Sequence, residues 1–242
     1  MKDTLIRLAE KYNNPIYFQT DPIIFPKHFF ELYKNGKSNI QDVEISGIIA
    51  AHLAWGRREM IVRDCKIALD EMNWKPYEYI KKGNFKCENC SLHRTVKWSE
   101  FAIICNNLRS FYDSHESIED LDPDSIRTKI FNQNSDKKAA NKKIHMLRRW
   151  MVRNDGIVDL GIWNKTSPVD LIIPLDVHVH RVAMEMKITS RKSADLSTAL
   201  EITQYLKEVF PEDPCKGDFA LFGYGIDNKK KYFEEDTVDK LQ

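Results

Sequence analysis

"DVEISGIIAAHLAWGRREMIVRDCKIALDEM", residues 42–72, decides the fold. Its apolar residues recur at three- and four-residue steps: Ile45, Ile48, Ile49 and Leu53, then Met60, Ile61, Cys65, Ala68 and Leu69. A stripe with that period belongs to an α-helix buried along one side. Glycine is a poor helix former, so the stretch predicts two helices broken near Trp55-Gly56. The same periodicity predicts helices over 97–113, 137–153, 177–187 and 193–210. No run sustains the two-residue alternation of a half-buried strand, so the expected class is all-α.

Outward from that core, the 242 residues are 42% hydrophobic and 11% aromatic, a composition that folds. Lys+Arg 37 against Asp+Glu 36 leaves a net charge of +1, which excludes a globally basic nucleic-acid binder. Any basic surface must be local. "MKDTLIRLAEKY" has no apolar core of signal-peptide type, and no stretch approaches the roughly 18 apolar residues of a membrane span. The expected location is cytoplasmic, without a membrane partner. Cys65, Cys87, Cys90, Cys105 and Cys215 are odd in number and scattered, so they read as reduced thiols.

Proline marks the connections. Pro15, Pro22 and Pro26 predict an extended N-terminal arm, Pro168 and Pro174 a crossing segment, and Pro211 and Pro214 a turn. "DNKKKYFEEDTVDKLQ", residues 227–242, reads as a solvated tail.

Charge is concentrated in "KKAANKKIHMLRRWMVR", residues 137–153, which holds seven Lys or Arg and no acid. On a helix, Lys138, Lys142, Arg149 and Arg153 share one face, while Ala140, Ile144, Leu147 and Met151 form an apolar stripe. The reading is a helix that packs by one side and presents cations by the other. A merely solvated charged face normally carries i,i+4 acid–base pairs, and none is possible here. Lys143 lies beside the apolar stripe, where burial lowers a lysine's pKa and makes it a nucleophile. A helical wheel leaves Lys142 and Lys143 both open.

Farther on, "IIPLDVHVHRVA", residues 172–183, sets Asp176 after Pro174 and ahead of the apolar stripe Val179, Val182, Ala183 and Met186. That is the place of a helix N-cap. A capping carboxylate with its second oxygen free also stabilises a developing cation, so the two roles are compatible.

Together these segments resemble the helix-hairpin-helix DNA glycosylase superfamily, whose members carry a "VDTHVxRV"-type segment with a catalytic aspartate. Asp176, His178 and Arg181 take the matching positions. "ISGIIAAHLAWGRREMIVRDCKIAL" is similar to the superfamily's apolar helix and DNA-entry turn, and "DFALFGYGI" resembles its closing segment. The combination of "HLAWGRREM", "LRRWMVRND", "DLGIW", "PLDVHVHRVA" and "DFALFGYGI" also looks like an uncharacterised bacterial family, domain of unknown function 2400.

The resemblance implies a two-lobed helical bundle with a degenerate hairpin, because no "LPGVGxxTA" hairpin precedes the aspartate. Gly156, Ile157 and Val158 stand 18 to 20 positions before Asp176, where the usual lysine belongs. Archaeal 8-oxoguanine glycosylases are similar in carrying their lysine farther upstream, and this ranks Lys142 ahead of Lys143. The superfamily's iron–sulfur cysteines are absent, and no cofactor is expected. The expected domains are 37–169, with the DNA-entry turn and the basic helix, and 1–36 plus 170–242, with Asp176.

The implied activity is that of a DNA glycosylase and lyase. A damaged base turns out of the duplex into a pocket between the lobes. Lys142 attacks C1′, and Asp176 stabilises the positive sugar. Lys138, Arg149, Arg153 and Arg181 are expected on DNA phosphates, and Trp55 and Arg57 in the gap left by the base. Trp163, Phe219, Phe222 and Tyr224 are candidate pocket aromatics.

Two alternatives compete. One is a nucleic-acid-binding module that kept the fold and lost the chemistry. The other is a metal enzyme, for which "CENCSLH" offers Cys87, Cys90 and His93, one ligand short of a structural zinc set. His178 and His180 diverge by about 200° on a helix, so no metal site is assigned to them.

Overall fold

The computed structural model describes residues 1–228; the charged tail from residue 229 onward lies outside the described residues. The fold is all-α, apart from a small two-stranded antiparallel hairpin of β1 (Ser91–His93) and β2 (Val96–Lys97). Strands of three and two residues are too short to show a period in sequence.

The chain divides into two compact units. One comprises Pro15–Lys137 and Lys143–Thr166, the other Met1–Asn14, Lys138–Lys142 and the residues from Ser167. The expected boundary near residue 36 therefore moves to residue 14. The first helix, α1 (Lys2–Tyr12), belongs to the second unit, whereas α2 (Ile24–Lys34) packs on α3 (Ile40–Leu53) in the first.

In the first unit, α3 is the hub. Every residue from Asp42 to Ala51 is buried, as is Leu53, which is why this helix is apolar nearly all round. Asn39 caps it by accepting from the Asp42 N–H at 2.8 Å. Against it pack α4 (Arg58–Glu71) and α5 (Pro76–Lys82); α6 (Trp98–Tyr112) follows the hairpin and packs on α5.

The break expected at Trp55-Gly56 is present. Gly56 has φ +100°, a conformation that favours glycine, and a Cβ there would also displace the Arg94 side chain. After α6, the short helix α7 (Pro123–Ser125) continues as a π-turn through Ile126–Ile130, and α8 spans Lys142–Val152. The basic helix is thus shorter than its sequence pattern predicts. Asn141, in the left-handed region at φ 47°, sets its start.

The N-terminal arm is not extended. Pro15–Phe18 is a 3-10 turn, and Pro26 is the third residue of α2, a position whose N–H has no intrahelical acceptor to lose. Arg58 holds the segment by donating to the Tyr17 carbonyl at 3.4 Å and pairing with Asp21 at 3.5 Å.

In the second unit, α1 buries Leu5, Leu8, Ala9 and Tyr12 and packs on α11 (Lys216–Asp227). Gly223 lies under the Tyr12 ring, with no room for a Cβ. Between them in sequence come α9 (Val177–Glu185), which packs on α11, and α10 (Leu196–Lys207). The segment 138–142 is tied to the head of α10, where the Leu196 N–H donates to the Lys138 carbonyl at 2.9 Å.

Candidate active site

Asp176 is the N-cap of α9. Its backbone is extended, with φ −121° and ψ −179°, and its Oδ1 accepts from the N–H groups of His178 and Val179, both at 2.9 Å. The other oxygen, Oδ2, faces Lys142, whose Nζ is 3.9 Å away; both side chains are 32% exposed. One carboxylate thus fixes its own helix and holds an amine at the margin of solvent. Lys142 is the first residue of α8, where a helix favours negative charge, so its counter-charge comes from Asp176 instead.

Lys143 goes elsewhere. Its Nζ is 3.2 Å from His52 Nδ1 and 4.1 Å from the centre of the Phe131 ring. Burial, with Arg127 nearby, lowers its pKa to about 8. His52 stacks on Phe131 at 5.2 Å and 15°, and burial followed by the charges of Lys143 and His93 lowers it to about 3. The depressed lysine expected beside the apolar stripe is present, but its partner is an imidazole. His52 was not singled out in the sequence; the signal was one polar residue in the apolar run Ile48–Leu53.

The expectation that Arg149 and Arg153 offer their charges outward requires correction. Arg149 is 6% and Arg153 1% exposed. Arg153 donates to Asp159 and, at 2.9 Å, to Asp155, while Arg149 Nε is 3.4 Å from Asp159 Oδ1. The chain beyond α8 folds back so that Leu160 and Trp163 N–H donate to the Trp150 and Met151 carbonyls, and this return brings the acids inward. A wheel of residues 137–153 contains no acid, so it could not reveal partners lying beyond its end. These arginines brace the fold.

Lys138 and Arg181 are exposed, and Arg181 pairs with Glu185 at 3.8 Å. Trp55 is 39% exposed and carries the Arg94 guanidinium over its ring at 4.5 Å. Arg57, also exposed, precedes the first turn of α4 without a side-chain capping bond, and its guanidinium reaches Met60 Sδ at 3.7 Å. The turn is pinned from below: His93 Nε2 lies 2.9 Å from the Trp55 carbonyl and Nδ1 2.7 Å from Asp64. Both partners of His93 are oxygens that accept.

That engagement removes His93 from the metal reading, since neither nitrogen is open beside the exposed Cys87 and Cys90. His178 is exposed, whereas His180 is buried and bonded through Nε2 to the Arg191 carbonyl at 2.7 Å. Among the described residues no group of three or more His, Cys, Asp or Glu could hold a metal ion. No helix among them is long and apolar enough to cross a membrane.

Of the candidate aromatics, Trp163 is buried and donates to Glu44 at 2.8 Å, and Phe219 is buried at 1% exposure. Phe222 meets Tyr12 edge-on at 6.3 Å, and Tyr224 is partly exposed.

The family model described as "Protein of unknown function (DUF2400)" matches residues 21–124 and 122–227. No curated protein and no solved structure matches the chain.

Proposed function

This chain belongs to the DUF2400 family, whose description states no activity, and we propose that it is a DNA glycosylase with lyase activity, acting on a damaged base turned out of the duplex. The observation that carries the proposal is the 3.9 Å approach of Lys142 Nζ to Asp176 Oδ2, with Oδ1 committed to the cap of α9. The resemblance of "PLDVHVHRVA" to the glycosylase aspartate segment supports it.

In the proposed reaction the bond from C1′ to the base breaks and the base leaves with the electron pair. Asp176 first takes one proton from the Lys142 ammonium and passes it to the departing base; the freed amine lone pair bonds C1′, and one of the two protons left on the nitrogen goes to the ring oxygen as the sugar opens. While positive charge develops on the sugar, the fixed carboxylate opposes it at no cost in reorganisation. Opening of the sugar ring then leaves a Schiff base on Lys142, and elimination from it breaks the strand. An oxidised purine such as 8-oxoguanine is the first lesion to test. Lys138 and Arg181, in the same unit as Lys142 and Asp176, are assigned to phosphates. Arg149 and Arg153 drop out of that assignment.

Borohydride trapping on duplex DNA containing an abasic site or 8-oxoguanine tests the proposal. The expected result is a covalent adduct that disappears in Lys142→Ala. Binding of the same duplex without an adduct overturns the glycosylase reading in favour of a non-catalytic module on the same fold. Absence of both binding and adduct overturns the nucleic-acid reading itself.

A further inference from the structure

Lys143 is a half-buried amine whose surroundings are an aromatic floor and an imidazole. No carboxylate of the described residues is within ion-pair distance of its Nζ. A lysine kept for stability or solubility sits in water or beside an acid, because an uncompensated ammonium is costly to desolvate. Among the described residues the charge is offset by the Phe131 ring and the His52 nitrogen, and Arg127 acts against it. The setting disfavours the charged form relative to water, so a larger fraction of this amine is neutral than for an ordinary lysine. Its chemistry is that of a nucleophile toward carbonyl carbon.

We propose that Lys143 is a second reactive amine, separate from the Lys142–Asp176 pair, which captures small aldehydes bearing an anionic group as a Schiff base. The amine nitrogen adds to the carbonyl carbon and one of its protons goes to the carbonyl oxygen. The hydroxyl so formed leaves as water with the second amine proton, and a carbon–nitrogen double bond remains. His52 acts as a positioning residue: when Nζ donates to Nδ1, the ring is fixed as the Nε2–H tautomer and the amine is held over Phe131. Arg127, close enough to act electrostatically on Lys143, supplies the charge that favours an anionic carbonyl compound over a neutral one.

The test incubates the full chain with glyoxylate and cyanoborohydride and maps the carboxymethyl adducts by peptide mass spectrometry. At pH 7.5 the expected labelling of Lys143 exceeds that of a typical exposed lysine by at least about tenfold, because the lower pKa leaves far more free amine. Its rate should rise with a midpoint near pH 8. Lys142→Ala should retain the adduct at Lys143, which keeps this site distinguishable from the glycosylase centre. His52→Phe, which keeps a ring over Phe131 but no acceptor, should slow labelling while its circular dichroism matches the parent. Propionaldehyde should label Lys143 more slowly than glyoxylate. Labelling spread evenly over the lysines, or an advantage found at Lys142 and not at Lys143, overturns the proposal. Equal rates with propionaldehyde overturn the anion preference.

Discussion

Arg153 and Asp159 meet inside the first unit with side chains 1% and 0% exposed, and Arg149 approaches the same carboxylate at 3.4 Å. Two guanidinium groups converge on one buried acid. Removing one member of such a set strands the opposite charge in a medium that solvates it poorly, at about 3–5 kcal/mol. Asp159→Asn should therefore lower the free energy of unfolding by about that amount, read from the urea midpoint. A loss under about 1 kcal/mol, the worth of a solvated pair, would show that the arginines are not buried as described.

Asp176 carries two duties on two oxygens, and they separate by substitution. Asparagine keeps a side-chain oxygen for the His178 and Val179 N–H groups and is as good an N-cap as aspartate. Asp176→Asn should leave the melting temperature close to the parent's while trapping on DNA falls by about a hundredfold or more, the scale of losing one electrostatic stabiliser. Asp176→Ala should lose the activity and also about 0.5–2 kcal/mol of stability. An asparagine variant that traps DNA as well as the parent would remove Asp176 from the chemistry.

Acid should destabilise the fold well before its carboxylates are neutralised. Burial, aided by Arg148, holds His145 down to about 4, and His145 is 3% exposed. His52 is held to about 3 by burial first, then by Lys143 and His93. Both rings are kept neutral in the folded chain, whereas the unfolded chain takes up protons near 6.5. Their contribution is complete above pH 6.5 and is lost as pH falls toward the folded values. Urea titrations from pH 8 to pH 4 should show this loss, and His145→Leu should flatten it, since leucine has no proton to gain. A parent curve as flat as the variant's would contradict the burial of a neutral ring.

The helices were legible wherever one face was apolar and one polar: the pair broken at Gly56, the stretch over 97–113 and the helix capped by Asp176 all lie where their periods place them. The Asp176 cap was also in reach, because a cap advertises itself by local spacing, whereas Lys142 as its partner came only from the glycosylase resemblance. What stayed hidden depended on partners distant in sequence. Arg149 and Arg153 look solvent-bound until the chain returns with Asp155 and Asp159, and His93 looks like a metal ligand until Asp64 and Trp55 claim its two nitrogens. Pro26 misled for a different reason, since proline ends a helix from within but is harmless in its first turn.

Glu44, at 0% exposure, receives bonds from the Tyr112 hydroxyl, the Ser117 hydroxyl, the Ile118 N–H and the Trp163 indole, and the last of these lies 119 positions along the chain. Its full set of donors exists only when residue 163 has joined the rest. A ribosome-bound chain arrested short of that point should hold this acid on a helix that water has not yet left, and closure of the unit becomes a late event in synthesis. The timing of maturation is thereby written into a side chain sealed from solvent.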